Sequence, residues 1–356
     1  MAETVDSLKN GTYLNILKMG WPSRQLGGEM TATPIVKVRD MAYPRLQVPD
    51  LDQMEAYLMD FGMVRAERRS DVLFMRGAGA APYVHVIHEG PAAFTGFAFE
   101  AAHREDLDRL AATPGFTPVE DLDGPGGGVR TTVRDPIGLL VEVVHGIAQG
   151  EPRGNLDPRP LNMGEAFQRI GATQRIKAGP SRIKRFGHLA LNVPDPVAAL
   201  AWYHARFGLM PSDRVNLAPG MPVAIFTRCD KGAEPADHHS MLFASNMSSG
   251  GVSGLNHLSW EVCDIDDVLA GREHLAAKGR THEWGVGRHL LGSQVFDYWR
   301  DPWGHIHEHW TDGDQFDASI PAGDHSIDVG AVSQWGPNMP SSFGRTIPPK
   351  NPSQSA

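Results

Sequence analysis

The stretch Leu189-Ala-Leu-Asn-Val-Pro-Asp195 decides the fold, because a related stretch, Pro44-Arg-Leu-Gln-Val-Pro-Asp50, occurs in the first half of the chain. Each stretch leads into a helical pattern that ends in a Phe-Gly pair, at Phe61 in the first half and at Phe207 in the second. Self-similarity of this kind indicates that one supersecondary unit recurs along the chain. The sequence therefore predicts two similar halves.

The similarity continues towards the end of each half. A strand-like segment at residues 96–100 corresponds to residues 257–261, and each half closes on Asp-Pro-x-Gly followed four residues on by a glutamate. Short apolar segments separated by Gly, Pro and Asp are typical of strands joined by turns. We interpret each half as a strand, a helix and several short strands, twice over. The pattern predicts an α+β fold of four βαβββ modules that are paired into two domains.

The composition excludes several classes of protein. The chain has 356 residues and a formal net charge of -9, and no apolar run reaches the ~18 residues of a membrane span. The charge argues against a nucleic-acid partner, since the basic cluster at residues 175–185 is short and is interpreted as a solvated linker. The amino-terminus shows no secretory signal. Cys229 and Cys263 are interpreted as small buried hydrophobes, and we expect a cytoplasmic protein that is not membrane-embedded.

The two halves differ at positions that matter for chemistry. Where the second half has His188 and His257, the first half has a tyrosine and a glycine, whereas Glu142 persists opposite Glu308. Only the second half therefore keeps a full set of candidate metal ligands. The first half is predicted to be a structural partner, and Glu142 is interpreted as a leftover polar residue.

Strand alternation places the candidate ligands. Successive side chains of a strand point to opposite faces, so His188 lies on the face away from the large aliphatic residues of its strand. Glu308 likewise faces the apolar interior, away from the histidines at positions 305, 307 and 309, and a lone carboxylate there is costly unless it is paired or metal-bound. Two histidines and one carboxylate leave coordination positions open, as in non-haem Fe(II) oxygenases. His188, His257 and Glu308 are the candidate ligands.

A more specific pattern follows in the second half: Gly287-Arg-His289, Tyr298 nine residues later, Asp301-Pro-Trp-Gly304, and then Glu308. Over residues 37–345 the chain resembles the vicinal oxygen chelate superfamily, and within it the two-domain type I extradiol dioxygenases that cleave catechols. The resemblance implies that each domain is an open mixed-sheet barrel, the glyoxalase/bleomycin resistance/extradiol dioxygenase fold. One departure is Asp297, where the family pattern has an apolar residue. By strand alternation its side chain should face away from Tyr298.

The resemblance also implies a cofactor and a reaction. It implies Fe(II), with Mn(II) as a possible substitute, bound by His188, His257 and Glu308. A catechol-type substrate and O2 would react there, and the ring would open beside the two hydroxyls to give a semialdehyde, in the degradation of aromatic compounds. The family further implies a homo-oligomer, either a dimer or a tetramer.

Three more residues receive roles from the same resemblance. The paired His238-His239 looks like the family's catalytic strand, whose second histidine is the acid/base, and a histidine titrates in the range that such a role needs. His239 is therefore the candidate, with His238 as a solvent-side neighbour. His289 and Tyr298 match positions that donate hydrogen bonds to the substrate oxygens or to the oxygen intermediate.

The repeat predicts the boundaries along the chain. Residues 1–36 form an amino-terminal arm, 37–146 a domain without metal, 147–183 a linker, 184–316 the catalytic metal-binding domain and 317–356 a tail. The linker is predicted to contain a short helix around residues 164–170. The tail from Pro337 is rich in Pro and Ser, which predicts that it buries no core and that its last dozen residues are mobile.

Other functions fit parts of the same pattern. A 2-oxo acid dioxygenase would share the ligands, although the residues around His289 and Tyr298 favour a catechol enzyme. A glyoxalase-like isomerase usually has two glutamates among its metal ligands. Glu142 could be the second glutamate, but the first half has no histidines at the corresponding ligand positions. A non-catalytic binding protein would need neither three ligands nor an acid/base. The sequence leaves the identity of the catechol open, since segments such as 215–222 and 281–286 would select it.

Overall fold

The computed structural model describes residues 33–347 apart from residues 158, 248, 331 and 332. Most of the predicted amino-terminal arm and the last nine residues of the predicted tail lie outside the described residues. The first half follows the order strand, helix, three strands, and then repeats it. Its elements are β1 (Val38–Val48), α1 (Leu51–Phe61), β2 (Val64–Arg68), β3 (Val72–Arg76), β4 (His85–Glu89), β5 (Ala93–Ala101), α2 (Arg104–Ala111), β6 (Glu120–Asp121), β7 (Val129–Arg134) and β8 (Leu140–His145).

The repeated motif sets where the first helix of each half begins and ends. The Asp50 carboxylate accepts hydrogen bonds of 2.9 Å from the backbone N–H groups two and three residues later. Asp195 does the same at 2.9 and 3.1 Å. Gly62 and Gly208 follow the helices in the left-handed conformation, with φ of 120° and 75°. An acidic N-cap and a left-handed glycine are standard helix boundaries, so the motif encodes both ends of the helix.

The strands of the first half form one mixed sheet in the order β2-β3-β4-β1-β5-β8-β7-β6. The first strands of the two modules, β1 and β5, lie antiparallel at its centre. Each also pairs in parallel with the last strand of its own module, β1 with β4 and β5 with β8. The predicted βαβββ module is therefore present twice in this half.

The second half repeats this plan and adds a strand at each edge. Its elements are β11 (Ile183–Val193), α3 (Pro196–Phe207), β12 (Met210–Ala218), β13 (Met221–Arg228), β14 (Ala236–Asp237), β15 (Met241–Ser245), β16 (Gly254–Val262), α4 (Ile265–Ala277), β17 (Thr281–His289), β18 (Val295–Arg300), β19 (Ile306–Thr311), β20 (Gln315–Phe316), β21 (Gly323–Ser326), α5 (Ile327–Gly330) and β22 (Ser333–Trp335). Its sheet has the order β21-β12-β13-β15-β11-β16-β19-β18-β17-β22, and the two edge strands belong to the predicted tail.

The connection between the halves contains a small hairpin and not the predicted helix. Its strands are β9 (Asn162–Met163) and β10 (Ala166–Phe167), which pair antiparallel. Gly164 takes a φ of 54° at the turn, a conformation outside the helical range that glycine adopts at little cost. The hairpin residues are exposed, so no packed face favours a helix over the turn. The helix prediction at residues 164–170 was wrong.

Arg185 departs from the interpretation of residues 175–185 as a solvated linker, whereas Arg175 and Lys177 are exposed, as that interpretation predicts. Its guanidinium lies 2.7 Å from the carboxylates of both Asp237 and Glu261. Burial disfavours its charge, but Asp237 and the neighbouring acidic groups outweigh burial and raise its pKa. This half-buried basic residue is therefore part of an ion cluster at the start of β11.

One face of β19 is used to join the two halves. His309 stacks on Phe61 of α1 with ring centres 3.7 Å apart, and its Nε2 lies 2.7 Å from the Phe61 carbonyl oxygen. His307 lies edge-on to Tyr57 of α1, with ring centres 5.3 Å apart. Alternation along the strand turns Glu308 to the opposite face. The interface between the halves thus fixes the strand that carries the candidate carboxylate.

Candidate metal centre

The three candidate ligands lie on adjacent strands at the centre of the second sheet. His188 on β11 is opposite Ser259 on β16, and Ser259 is opposite Glu308 on β19. His257 precedes Ser259 by two residues and therefore shares its face. The ligand atoms of the three residues lie within 4.8 Å of one another. Glu308 Oε2 is 3.1 Å from His188 Nε2 and 3.9 Å from His257 Nε2.

Burial and charge set the protonation of this cluster. All three side chains are buried. Burial opposes ionisation of Glu308, but its interactions with the nearby imidazoles of His188 and His289 outweigh it and hold the pKa of the carboxyl well below its ordinary value. Burial lowers the pKa of His257 to about 3, against the opposing charge of Glu308. The site offers a carboxylate and a neutral imidazole, the forms that bind metals.

The donor set fits a divalent metal ion. Glu308 Oε1 is buried and accepts no hydrogen bond of ordinary geometry from the described residues; His289 Nε2 is 3.6 Å away. Such an oxygen is costly unless a cation neutralises it. Two imidazoles and one carboxylate suit Fe(II) or Mn(II) and leave coordination positions open. Within residues 33–347, as far as they are described, no other group of His, Cys, Asp or Glu has comparable geometry.

The other three candidates surround these ligands. The ring centre of His239 is 4.1 Å from that of His188. Tyr298 is opposite Glu308 in the β18–β19 register, and its hydroxyl lies 2.9 Å from His289 Nε2. Burial, followed by the charge of Glu308, raises the pKa of Tyr298 well above its ordinary value, so it stays a donor. Burial lowers the pKa of His239 well below its ordinary value, so its ring is neutral.

His238 is not the solvent-side neighbour that the sequence predicted. It is buried, its Nδ1 lies 3.0 Å from His239 Nδ1, and its Nε2 lies 2.7 Å from Asp213 Oδ2. Because a carboxylate can only accept, His238 donates from Nε2, and in a neutral His238 the Nδ1 atom then accepts from His239. This leaves His239 Nε2 as the basic nitrogen. No sequence motif signals Asp213, which lies 25 residues earlier on β12.

The Asp-Pro-x-Gly motif holds the start of the last strand of each half. Asp301 Oδ1 accepts hydrogen bonds from the backbone N–H groups of Trp303 at 2.8 Å and His305 at 3.0 Å. Asp135 makes the corresponding pair of bonds at 3.1 and 2.8 Å. The motif therefore fixes where β19 begins and, with it, the position of Glu308.

A cavity of about 270 Å³ opens beside the ligands. His239, His257, His289 and Tyr298 line it together with apolar side chains and the neutral Ser245 and Asn256. Of the described residues, no Lys, Arg, Asp or Glu lines this cavity. Its apolar lining includes Val215, Val223, Phe226, Leu242, Trp284 and Leu290.

The tail closes one side of this cavity, against the prediction that it buries no core. The Phe343 ring lies 4.8 Å from that of Tyr298 and 5.0 Å from that of Trp284, and Met339 also lines the cavity. Val215 and Trp284, from the two segments expected to select the substrate, lie on β12 and β17. The pocket is therefore built by strands, by the tail and by loop residues such as Met247 and Leu290.

In the first half, arginines surround Glu142, the residue that corresponds to Glu308. Tyr43, at the position of His188, donates a hydrogen bond of 2.6 Å to Glu142 Oε2. Arg130 Nη1 lies 2.8 Å and Arg45 Nη1 3.3 Å from Glu142 Oε1. Glu142 is thus the centre of a buried ion cluster, which corrects its interpretation as a leftover polar residue.

Comparison with known proteins gives the family. Residues 185–308 match the model of the Glyoxalase/Bleomycin resistance protein/Dioxygenase superfamily. The chain is 33% identical over 322 residues to Metapyrocatechase 2 of Cupriavidus necator, across 88% of this chain and 94% of that protein. The chain belongs to the extradiol dioxygenase family. This dioxygenase is also 24% identical over 319 residues to the iron-dependent extradiol dioxygenase of Rhodococcus jostii (strain RHA1), across 85% of this chain and 97% of that protein.

A solved structure shares the fold of this dioxygenase. The Mn(II)-bound glyoxalase from Novosphingobium aromaticivorans superposes with a TM-score of 0.70 at 23% identity, across 89% of this chain and 96% of that one. This likeness, together with the two mixed sheets, confirms the predicted fold class. The predicted enzyme class, a ring-cleaving extradiol dioxygenase of catechols, is confirmed by the family.

The Asp297 side chain, where the sequence departs from the family pattern, lies inside the fold. Asp297 faces away from Tyr298, as alternation predicts, and is buried with Arg272 Nη1 at 2.9 Å and His282 Nε2 at 2.8 Å. The charge of this carboxylate is therefore compensated inside the fold.

Among the described residues, no helix combines the length and apolar character needed to span a bilayer.

Proposed function

We propose that this dioxygenase cleaves catechols that carry an uncharged, apolar substituent, at an Fe(II) ion held by His188, His257 and Glu308. The observation that carries the proposal is the convergence of three ligand atoms within 4.8 Å beside a cavity with no charged lining residue other than histidine among those described. When bound, Fe(II) supplies the redox centre at which the catechol and O2 react, and both oxygen atoms enter the ring-opened semialdehyde.

Iron is proposed over manganese because one relative of the chain is an iron-dependent extradiol dioxygenase. The ligand set alone accepts either metal, since two imidazoles and a carboxylate do not discriminate strongly between them. Of the two, Fe(II) is the ion in the common oxygenase sites of this ligand type.

His239 handles the protons of the reaction. Its neutral ring can take the proton of a substrate hydroxyl at Nε2, because its Nδ1 is bonded to His238, which is itself bonded to Asp213. The same nitrogen can return the proton as the ring opens. A buried histidine with a lowered pKa is suited to this exchange, because it is neutral when the substrate arrives.

His289 and Tyr298 act as hydrogen-bond donors next to the substrate oxygens. They are joined by a bond of 2.9 Å, and Tyr298 is buried. Donors in a water-poor pocket stabilise negative charge that develops on oxygen. Loss of either residue should slow turnover while the three ligands still hold the metal.

The cavity supports the choice of substituent. Alkyl or aryl groups would replace water against Val215, Phe226 and Leu242, which is favourable at roughly 25 cal/mol per Å² of apolar area. A carboxylate would lose hydration without gaining a cation there, at a cost of several kcal/mol. Leu290 is 40% exposed and lies where solvent reaches the cavity, which reduces that cost to about 3 kcal/mol, or about 100-fold in kcat/KM.

Oxygen uptake and visible spectra test the proposal. Anaerobically purified protein reconstituted with Fe(II) is assayed with catechol, 3-methylcatechol, 2,3-dihydroxybiphenyl and 3,4-dihydroxyphenylacetate, with His257→Ala as the control. We expect coloured product with matched O2 consumption, kcat/KM lowest for the carboxylate, and no turnover in the control. Equal kcat/KM for the charged and uncharged substrates would refute the substrate class. A fully active control would refute the metal site.

The remaining features of the proposal concern organisation and location. We propose a first domain at residues 37–146 that is structural and a catalytic domain at residues 184–316, joined by the linker at 147–183. Two observations support this division: arginines neutralise Glu142 in the first half, and the metal-ligand cluster lies in the second half. A homo-oligomer, dimer or tetramer, is proposed from the family resemblance, and a cytoplasmic location from the low cysteine content.

A further inference from the structure

The carboxyl-terminal strap, defined here as residues 337–345, is fastened to the second sheet through its own backbone carbonyls. Trp284 Nε1 donates to the Pro337 carbonyl at 2.9 Å. Arg300 donates to the carbonyls of residues 342 and 345 at 3.1 and 2.8 Å. Asn192 Nδ2 donates to the Gly344 carbonyl at 2.7 Å. The last of these bonds is the end of a chain that begins at a metal ligand.

That chain consists of three consecutive hydrogen bonds. His257 Nδ1 lies 2.9 Å from Asn256 Oδ1. Asn256 Nδ2 donates to Asn192 Oδ1 at 2.9 Å, and Asn192 Nδ2 donates to the Gly344 carbonyl. His257, Asn256 and Asn192 are all buried, so water does not compete freely for these bonds.

The chain has one direction because its last member can only accept. Asn192 must present its amide N–H₂ to the carbonyl, which leaves its oxygen to accept from Asn256. Asn256 must then present its own oxygen to His257, which donates from Nδ1. The lone pair of His257 is thereby fixed on Nε2, the nitrogen that faces Glu308. In contrast, His188 Nδ1 has no hydrogen-bond partner among the described residues.

Gly344 is needed for this arrangement. Its φ is 76°, and a Cβ at this position would lie 2.6 Å from Asn256 Nδ2. Any other residue would be strained and would displace the amide that the chain depends on. The strap also places Phe343 with its ring centre 5.6 Å from that of His257, so the same segment contacts the ligand directly through Phe343 and indirectly through the two asparagines.

We propose that Asn192 and Asn256 are positioning residues that couple docking of the strap to the orientation of His257, so that strap docking and metal binding strengthen each other. This inference rests on the proposed metal site. Bonds from an outer residue to a ligand histidine typically change metal affinity by about 10- to 100-fold. Coupling of two binding events is reciprocal, so metal should also protect the docked strap.

The test measures Mn(II) affinity and strap protection in the full chain. Mn(II) binding to the apoprotein is measured by competition with a fluorescent chelator, without substrate or turnover. We expect Asn192→Ala, Asn256→Ala and Gly344→Ala to weaken binding about 10- to 100-fold. Trypsin cleavage after Arg345 is followed by mass spectrometry. Mn(II) should slow this cleavage in the wild type and much less in the three variants.

Two variants separate the coupling from a general loss of packing. Ser342→Ala removes a strap hydrogen bond of 2.7 Å to Glu283 and leaves the chain intact, so its Mn(II) affinity should stay within about twofold of the wild type. Asn256→Asp keeps an acceptor for His257 but offers no donor to Asn192. It should lose the protection of the strap by Mn(II), and its Mn(II) affinity should fall less than that of Asn256→Ala, because the acceptor for His257 remains.

The outcomes distinguish this inference from the proposed function. If His257→Ala loses Mn(II) while Asn192→Ala and Asn256→Ala bind it as tightly as Ser342→Ala, the coupling is refuted and the metal site stands. If His257→Ala binds Mn(II) like the wild type, the metal site itself is refuted, and the coupling with it.

Discussion

Replacing Glu142 with glutamine should destabilise the first half without disturbing the metal centre. The carboxylate is fully buried and contacts Tyr43, Arg130 and Arg45 at 2.6, 2.8 and 3.3 Å. Glutamine keeps the size of the side chain and a carbonyl oxygen for Tyr43. It removes the negative charge that neutralises the two arginines, so the change isolates the ion cluster from packing.

The expected magnitude follows from the burial of each partner. Removing one member of a buried ion pair costs about 3–5 kcal/mol. Arg45 and Arg130 are 15% and 26% exposed, and Arg130 keeps its 2.8 Å bond to Glu120. This partial solvation reduces the expected loss of unfolding free energy to about 2–3 kcal/mol. Glu120→Gln removes a half-exposed partner from the same arginine and should cost about 0–1 kcal/mol.

Urea unfolding of the three proteins, followed by circular dichroism, measures this difference through the shift in the midpoint. Bound metal is quantified in the same samples and should be unchanged. If E142Q proves as stable as E120Q, the cluster does not contribute as argued. Loss of metal from E142Q alone would contradict the assignment of the metal to the second half.

Three other predictions concern single groups. His239→Ala should lower kcat about 10²- to 10⁴-fold with metal content unchanged, as measured by oxygen uptake and elemental analysis. Burial opposes ionisation of Asp301, but the charge of His305 holds its pKa below the ordinary 3.8. Its contribution to stability is therefore present above pH 3.8 and lost as pH falls further, so the acid-induced drop in Tm should be smaller in Asp301→Asn. Cys229 is buried, as predicted, and burial raises its pKa to about 12; iodoacetamide should label it at pH 8 only after unfolding, as mass spectrometry would show.

The modules and the candidate ligands could be predicted because both follow from local rules. Helix caps at Asp50 and Asp195 depend on neighbouring residues, and strand alternation assigns His188 and Glu308 each to one face of its own strand. Duplication then aligned the halves and directed attention to the positions where they differ. Cys263, in contrast, is only half-buried, since alternation does not say how well a strand end is covered.

The parts that sequence could not reveal depend on contacts between distant residues. Asn192 bonds to a carbonyl 152 residues later, and His238 bonds to Asp213 on another strand. The sheet contains register shifts, for example between Ala190 and Leu191 in the β11–β16 pair. Each register shift changes which residues pair in the rest of the two strands. The pairs across the sheet therefore cannot be predicted by counting residues from a motif. The tail was misjudged for the same reason, because its composition does not show that Phe343 reaches Tyr298.

The two halves of the duplicated fold compensate the charge of a buried glutamate in different ways. Each half buries a glutamate at the same place on its last strand, and a buried carboxylate requires a compensating positive charge. In the register of the sheets, Arg45 takes the place of Ala190 and Arg130 that of Phe296. In the first half, the guanidinium groups of these two arginines lie beside the Glu142 carboxylate and neutralise its charge. In the second half, where small or aromatic side chains occupy these positions, the proposed metal ion would supply the charge, and its remaining coordination positions would be open to substrates. On this proposal, a structural half differs from a catalytic half in the residues that face the carboxylate as well as in the ligands.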